Sequence, residues 1–230
     1  MISKKHKTIF VHIPKVAGQS IETMFLENEG LDWNNRASLL LRPKKNHEKG
    51  PARLAHLRAR DYVDYGYIDK NDFDEYYKFS FVRNPYKRVF SFYNFLGYNR
   101  IISVDTFVTK VLPKKIEDGN FFFLSQYDYL YNTNGNLLVD FVGKLETINK
   151  DISKVIQDIG IENATLPHVN KAVGEWHRSV SHVVKTPYLL WHLNFNKKQK
   201  TNFEKIFTKE IKDKVFQLYK KDFEVFDYQK

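Results

Sequence analysis

Twice in this chain a short run of β-branched and aromatic residues stops at a basic, proline-containing loop, and apolar residues then resume at helical spacing. The first run is Thr8-Ile9-Phe10-Val11-His12-Ile13, closed by Pro14-Lys15-Val16-Ala17-Gly18. From Gln19 or Ser20 to about Glu29, Ile21, Met24 and Phe25 mark one helix face. The second run is Tyr77-Lys78-Phe79-Ser80-Phe81-Val82, followed by Arg83-Asn84-Pro85 and a helix with Val89, Phe92, Tyr93 and Leu96 on its apolar side. Uninterrupted apolar strands are those buried on both faces of a parallel sheet, and proline is favoured at a first helical position. Two such units confine the chain to an α/β architecture, and one domain over residues 1–230 is the economical reading.

The remaining segments fill in this outline. Residues 30–51 are polar, broken by Pro43 and Gly50, and read as an exposed excursion rich in lysine. Leu54-Ala55-His56 reads as a strand end, with a short helical stretch after it. A helix is expected from Asp105 to Leu112, ending at Pro113, and a hairpin turn at Asn134-Gly135 between 127–131 and 137–145. Residues 149–159 form a further expected helix with Ile152, Val155, Ile156 and Ile159 inward, stopped by Gly160. Two more are expected at about 197–207 and 211–219.

Composition narrows the function classes. The 230 residues carry 36 aromatics, too heavy an apolar load for a disordered chain. No apolar run approaches the roughly 20 residues that cross a membrane, and the basic start leads straight into a strand with no cleavage site, so a cytoplasmic place is expected. The absence of cysteine excludes disulfides, thiolate metal sites and cysteine nucleophiles together. A formal charge of +10 favours anionic partners, although plain solubility accounts for it equally well.

The two loops carry the chemistry. The first N–H groups of a helix lack internal partners, and the helix dipole adds positive charge there. In Pro14-Lys15-Val16-Ala17-Gly18, Lys15 adds a full charge, Gly18 permits close backbone approach and Ser20 supplies a hydroxyl. The order differs from a Walker A loop, whose lysine follows the second glycine. Arg83 stands at the carboxyl end of its strand, where open α/β sheets bind ligands. Ser91 follows two helical turns on, and a guanidinium fork matches phosphate oxygens. The competing reading is an ordinary pair of strand–turn–helix links with a solvent-facing Ser91.

The residues Ile9-Phe10-Val11-His12-Ile13-Pro14-Lys15-Val16-Ala17-Gly18-Gln19-Ser20-Ile21 resemble the 5′-phosphosulfate loop of the carbohydrate sulfotransferases, the family of heparan sulfate 2-O-type enzymes and their bacterial relatives. The stretch from Phe81 through Arg83-Asn84-Pro85 to Ser91-Phe92-Tyr93 is similar to that family's 3′-phosphate motif. Ser125-Gln126-Tyr127, Phe141-Val142-Gly143-Lys144-Leu145-Glu146, Leu166-Pro167-His168-Val169-Asn170 and the tail 215–223 follow in consistent order. The resemblance implies a P-loop-like three-layer fold, with a central, mainly parallel sheet flanked by helices. It also implies 3′-phosphoadenosine 5′-phosphosulfate (PAPS) as sulfuryl donor, without a metal. Carried over by residue, Lys15 contacts the phosphosulfate, the backbone of Ala17, Gly18, Gln19 and Ser20 cradles it with the Ser20 hydroxyl, and Arg83 and Ser91 hold the 3′-phosphate. Val16 and Gln19 stand where the family often has threonine or serine.

A hydroxyl acceptor must give up its proton, and histidine titrates near neutrality. Of the eight histidines, His56, in Leu54-Ala55-His56-Leu57-Arg58, resembles the segment where the family places its catalytic base. His6 and His47 lie in lysine-rich stretches, His12 on the first strand, and His168, His177, His182 and His192 towards the tail. Arg58, Arg60, Lys44, Lys45 and Lys49 are candidates for an anionic acceptor, or a solvated basic face. The expectation is a PAPS-dependent O-sulfotransferase acting on a saccharide, with no nucleic-acid partner. The alternatives are a P-loop kinase-like nucleotide-dependent transferase, or a non-catalytic basic module that binds acidic glycan or nucleic acid.

Overall fold

The computed structural model describes residues 1–161, 164–167 and 202–230. His168, Val169 and Asn170 of the family-like segment, the tail histidines His177, His182 and His192, and the start of the 197–207 helix lie outside them. The described residues divide into two compact units, one from Met1–Arg83 and the described part of Leu124–Val169, the other from Asn84–Phe123 and the described part of Asn170–Lys230.

The first unit is built on a four-stranded sheet in the order β1 (Ile2–Ser3), β2 (Thr8–Val11), β3 (Tyr77–Val82), β4 (Phe141–Lys144). β1 is antiparallel to β2, whereas β2, β3 and β4 run parallel, so the α/β class expected from the sequence is the one observed. All four residues of β2 and five of six in β3 are buried, which is why both strands read as continuous apolar runs. Phe81 pairs with Gly143 across β3 and β4, and a Cβ at Gly143 would fall 2.5 Å from the Phe81 ring, so this position takes no side chain. Helix α1 (Gly18–Asn28) follows β2 and buries Ile21, Met24, Phe25 and Leu26. Two short helices, α2 (Asp61–Asp64) and α3 (Lys70–Glu75), lead into β3.

Helix α4 (Pro85–Phe95) opens the second unit, with Pro85 in its first turn and the Asn84 side chain accepting from the N–H groups of Tyr86 and Lys87. Its face Val89, Phe92, Tyr93 joins a core with Phe107, Leu112, Phe123, Ile211, Val215 and Phe223. Helix α5 (Val104–Thr106), a π turn (Phe107–Val111) and helix α6 (Leu112–Glu117) run on without a break. The helix expected to stop at Pro113 therefore continues. A proline has no N–H and crowds the carbonyl four residues back, and the wider π turn makes room for it. The described tail forms helices over Phe203–Ile206, Lys209–Leu218 and Lys220–Val225.

Two further expectations are corrected in the first unit. Residues 126–130 form helix α7 (Gln126–Leu130), not a hairpin arm, because Ser125 caps it by accepting from the Asp128 N–H and Gln126, Tyr129 and Leu130 share one buried face. The Asn134-Gly135 turn is present, closed by a single antiparallel bridge between Tyr131 and Leu137. Leu54–His56 is a 3₁₀ turn, not a strand end. Leu54 and Leu57 are both fully buried, and a spacing of three suits that tighter helix. Helix α8 (Ile148–Asp158) ends at Gly160, in left-handed backbone, as expected. The 30–51 excursion is less loose than its polarity suggests. Leu39 and Leu41 are buried, and Arg42 forks onto Glu48 at 2.6 and 2.7 Å.

Candidate functional site

Strand β2 ends where the chain turns sharply into α1. Lys15 and Ala17 both take left-handed backbone, at φ 73° and 63°, conformations that cost a non-glycine residue about 1 kcal/mol or more each. Turns of this kind point successive N–H groups into a concavity that suits an anion. The N-terminus of α1 carries no side-chain cap, so its positive end is not answered by a carboxylate or hydroxyl there. Lys15 is half-buried, Gln19 is exposed and Ser20 half-buried. The Ser20 N–H is already engaged, donating to the Ala17 carbonyl at 3.0 Å. Gly18 is required for a reason not visible in the motif, since the space a Cβ would occupy there holds the His12 imidazole.

Three elements of the first unit converge on this loop. Arg83, at the end of β3, donates from Nη1 to the Lys15 carbonyl at 3.3 Å. The two motifs that the sequence keeps 68 residues apart therefore meet through Lys15 and Arg83. Arg83 is itself gripped by α7: its N–H donates to Gln126 Oε1 at 2.8 Å, and Gln126 Nε2 donates to its carbonyl at 2.9 Å. Gln126 is fully buried. The 3₁₀ turn brings His56 to the end of β2, with Nδ1 3.0 Å from the His12 carbonyl oxygen. The segment after it is tied to α7 through the Ala59 N–H and the Tyr129 carbonyl, 2.8 Å apart.

A carbonyl accepts only, so His56 Nδ1 carries the proton and Nε2 the lone pair, the tautomer a general base needs. Burial pushes the His56 pKa well below the usual imidazole value; the adjacent His12 acts in the same direction, and the hydrogen bond to the His12 carbonyl opposes them. Their rings lie 4.4 Å apart, tilted by 58°. The imidazole of His12 is also bonded to Glu22 on α1, Nδ1 to Oε1, at 2.5 Å. Glu22 is only 4% exposed.

Sequence reasoning missed Glu22 and the grip of Gln126 on Arg83. A signal for Glu22 existed, because it stands one turn before Phe25 and Leu26 on the buried face of α1, where an unpaired carboxylate would be costly. Arg58 is engaged elsewhere: its Nε and Nη2 fork onto the Asp61 carboxylate, both at 2.8 Å. Of the lysines weighed for an acceptor, Lys45 and Lys49 are exposed and Lys44 half-buried. Ser91 belongs to the second unit, half-buried on α4. Among the described residues there is no cluster of histidines and carboxylates that would hold a metal ion, and no helix is long and apolar enough to cross a membrane.

A comparison with protein families matches the chain over residues 1–229, and the matching family is described as the Sulfotransferase family. No curated protein matches the chain.

Proposed function

The chain belongs to the sulfotransferase family, and from that premise we propose that it moves a sulfuryl group from PAPS to a hydroxyl of a carbohydrate acceptor, with His56 as general base. One observation carries this reading. His56 is bonded through Nδ1 to the carbonyl of His12, three residues before Lys15, so the base and the donor loop hang on one strand end.

In the proposed step the acceptor O–H gives its proton to His56 Nε2 as its oxygen bonds to sulfur. The bond between sulfur and the 5′-phosphate oxygen breaks on the opposite side. Negative charge left on that phosphate oxygen is met by the Lys15 ammonium, the positive end of α1 and the backbone of Ala17, Gly18 and Gln19. Ser20 adds its hydroxyl, its N–H being committed to Ala17. The donor fits this loop by its chemistry, because left-handed turns at Lys15 and Ala17 ahead of an uncapped helix suit a dense anion. Arg83 takes the 3′-phosphate, the group that distinguishes PAPS from ATP, and Gln126 fixes its backbone.

Calorimetric titration with adenosine 3′,5′-bisphosphate, ADP and ATP tests the donor. Tight binding that needs the 3′-phosphate and is lost in Arg83→Ala is expected. Equal or better binding of ATP would overturn the donor assignment in favour of a kinase-like transferase. Sulfuryl transfer to a panel of oligosaccharides, read by mass, tests the acceptor class.

A further inference from the structure

Glu22 and His12 form a buried pair that the proposed reaction does not itself use. The pair sits on α1 and at the end of β2, and the His12 ring is enclosed on several sides. Phe10 stacks on it at 5.5 Å and 16°, the backbone of Gly18 presses against its edge, and the His56 ring lies 4.4 Å away. We propose that Glu22 is a positioning residue for the base, holding the His12 imidazole so that His12 in turn fixes the orientation and tautomer of His56. The inference rests on the reading of His56 as general base.

The geometry gives the route. The Glu22 carboxylate accepts from His12 Nδ1 at 2.5 Å, which pins the rotation of that ring. The pinned His12 ring is a wall for the His56 imidazole, whose Nδ1 donates to the His12 backbone carbonyl at 3.0 Å. The His12 ring also fills the space beside Gly18, so the group that seats the base bounds the donor loop too. Burying a carboxylate is expensive, and an apolar residue would fill the same place on α1 without that cost. A carboxylate there is explained by what it holds. The charged or titratable groups acting on His56 come from each neighbouring element: His12 at the end of β2, Arg53 beside the 3₁₀ turn and the Met1 amino group ahead of β1. Glu22 faces His12 from α1.

Two variants test the relation in the full-length chain, Glu22→Gln, which keeps shape and removes charge, and Glu22→Leu, which keeps apolar packing. Nitrogen-15 spectra of the histidine rings report the His56 tautomer and titration without any need for activity. The expected result is a single Nδ1–H tautomer for His56 in the wild-type protein, giving way to a mixture with an altered titration midpoint in either folded variant. Turnover should fall by about tenfold to a hundredfold while KM for PAPS stays near its wild-type value, as a misplaced catalytic group predicts. A folded variant with the wild-type His56 tautomer, titration and turnover would overturn the proposal. If the wild-type protein transfers no sulfuryl group yet the His56 signals still move in Glu22→Gln, the proposed function fails and the positioning relation stands.

Discussion

A Cβ added at Gly18 would fall 2.0 Å from Nε2 of His12, a distance no side chain tolerates. The glycine of the loop and the histidine of the preceding strand are thus one packing unit. Gly18→Ala should therefore destabilise the protein by about 1–3 kcal/mol, the usual cost of overpacking, seen as a lowered thermal midpoint. Adding His12→Ala should remove the clash, so the double variant should be less destabilised than the sum of the singles. Strict additivity would show that the two residues are not in contact.

His56→Ala should cut turnover by roughly 10²–10⁴-fold, the range for loss of a general base. Affinity for adenosine 3′,5′-bisphosphate should hardly change, because the imidazole is assigned to the acceptor side. Wild-type turnover in this variant would remove His56 from the mechanism. With the His56 pKa held well below the usual value, the base stays neutral through the physiological range. The acidic limb of the rate profile should accordingly lie below the ordinary imidazole midpoint.

Lys15→Ala should lower turnover by about 10²–10³-fold, the loss typical of one preorganised donor to a developing charge. Its effect on bisphosphate affinity should be smaller, since the charge it answers is largest at the transition state. A variant that loses nucleotide binding and turnover in equal proportion would assign Lys15 to ground-state binding instead.

Gln126→Leu removes both hydrogen bonds that grip the Arg83 backbone. Leaving those groups unpaired should cost about 1–3 kcal/mol of stability. The loosened arginine should also weaken binding of the bisphosphate more than that of ADP. Unchanged discrimination between the two ligands would separate Gln126 from the 3′-phosphate site.

Stability should rise with pH between about 5 and 8. The Met1 amino group is buried, bonded to the Phe10 carbonyl at 2.9 Å and the Tyr62 hydroxyl at 2.6 Å. Burial lowers its pKa from 8.0 to about 5. In that window the unfolded chain binds the proton and the folded one does not, so raising the pH favours folding until the unfolded amine has also titrated. His56, lowered from 6.5, acts in the same direction at the acid end of the window. Thermal midpoints measured at pH 5.5 and 8 check this, and equal midpoints would contradict the burial of a neutral amine.

Much of the scaffold was legible because its signals are local. The strands at Thr8–Val11 and Tyr77–Val82 announce themselves as apolar runs, and Pro85 behind Asn84 marks the start of a helix within one turn. Misreadings arose where two local signals conflict. Tyr127–Tyr131 has strand-forming residues, yet a Ser125 cap and the burial of Gln126, Tyr129 and Leu130 make most of it helical. Pro113 reads as a stop, but a π turn ahead of it lets the helix continue. Arg58 looked available to a ligand, although Asp61, its partner, stands only three residues on.

The sequence by itself determined the α/β class and the two basic loops behind β2 and β3, because these depend on short-range pattern and charge. Only the tertiary structure decided which polar groups meet. Glu22 joins His12 across a separation of ten residues, His56 reaches the His12 carbonyl across 44, and Gln126 grips Arg83 across 43. Such pairs leave no periodic trace in the chain. They form because a buried polar atom left unpaired is costly, and the packing of β2, β3, α1 and α7 fixes which partner is within reach.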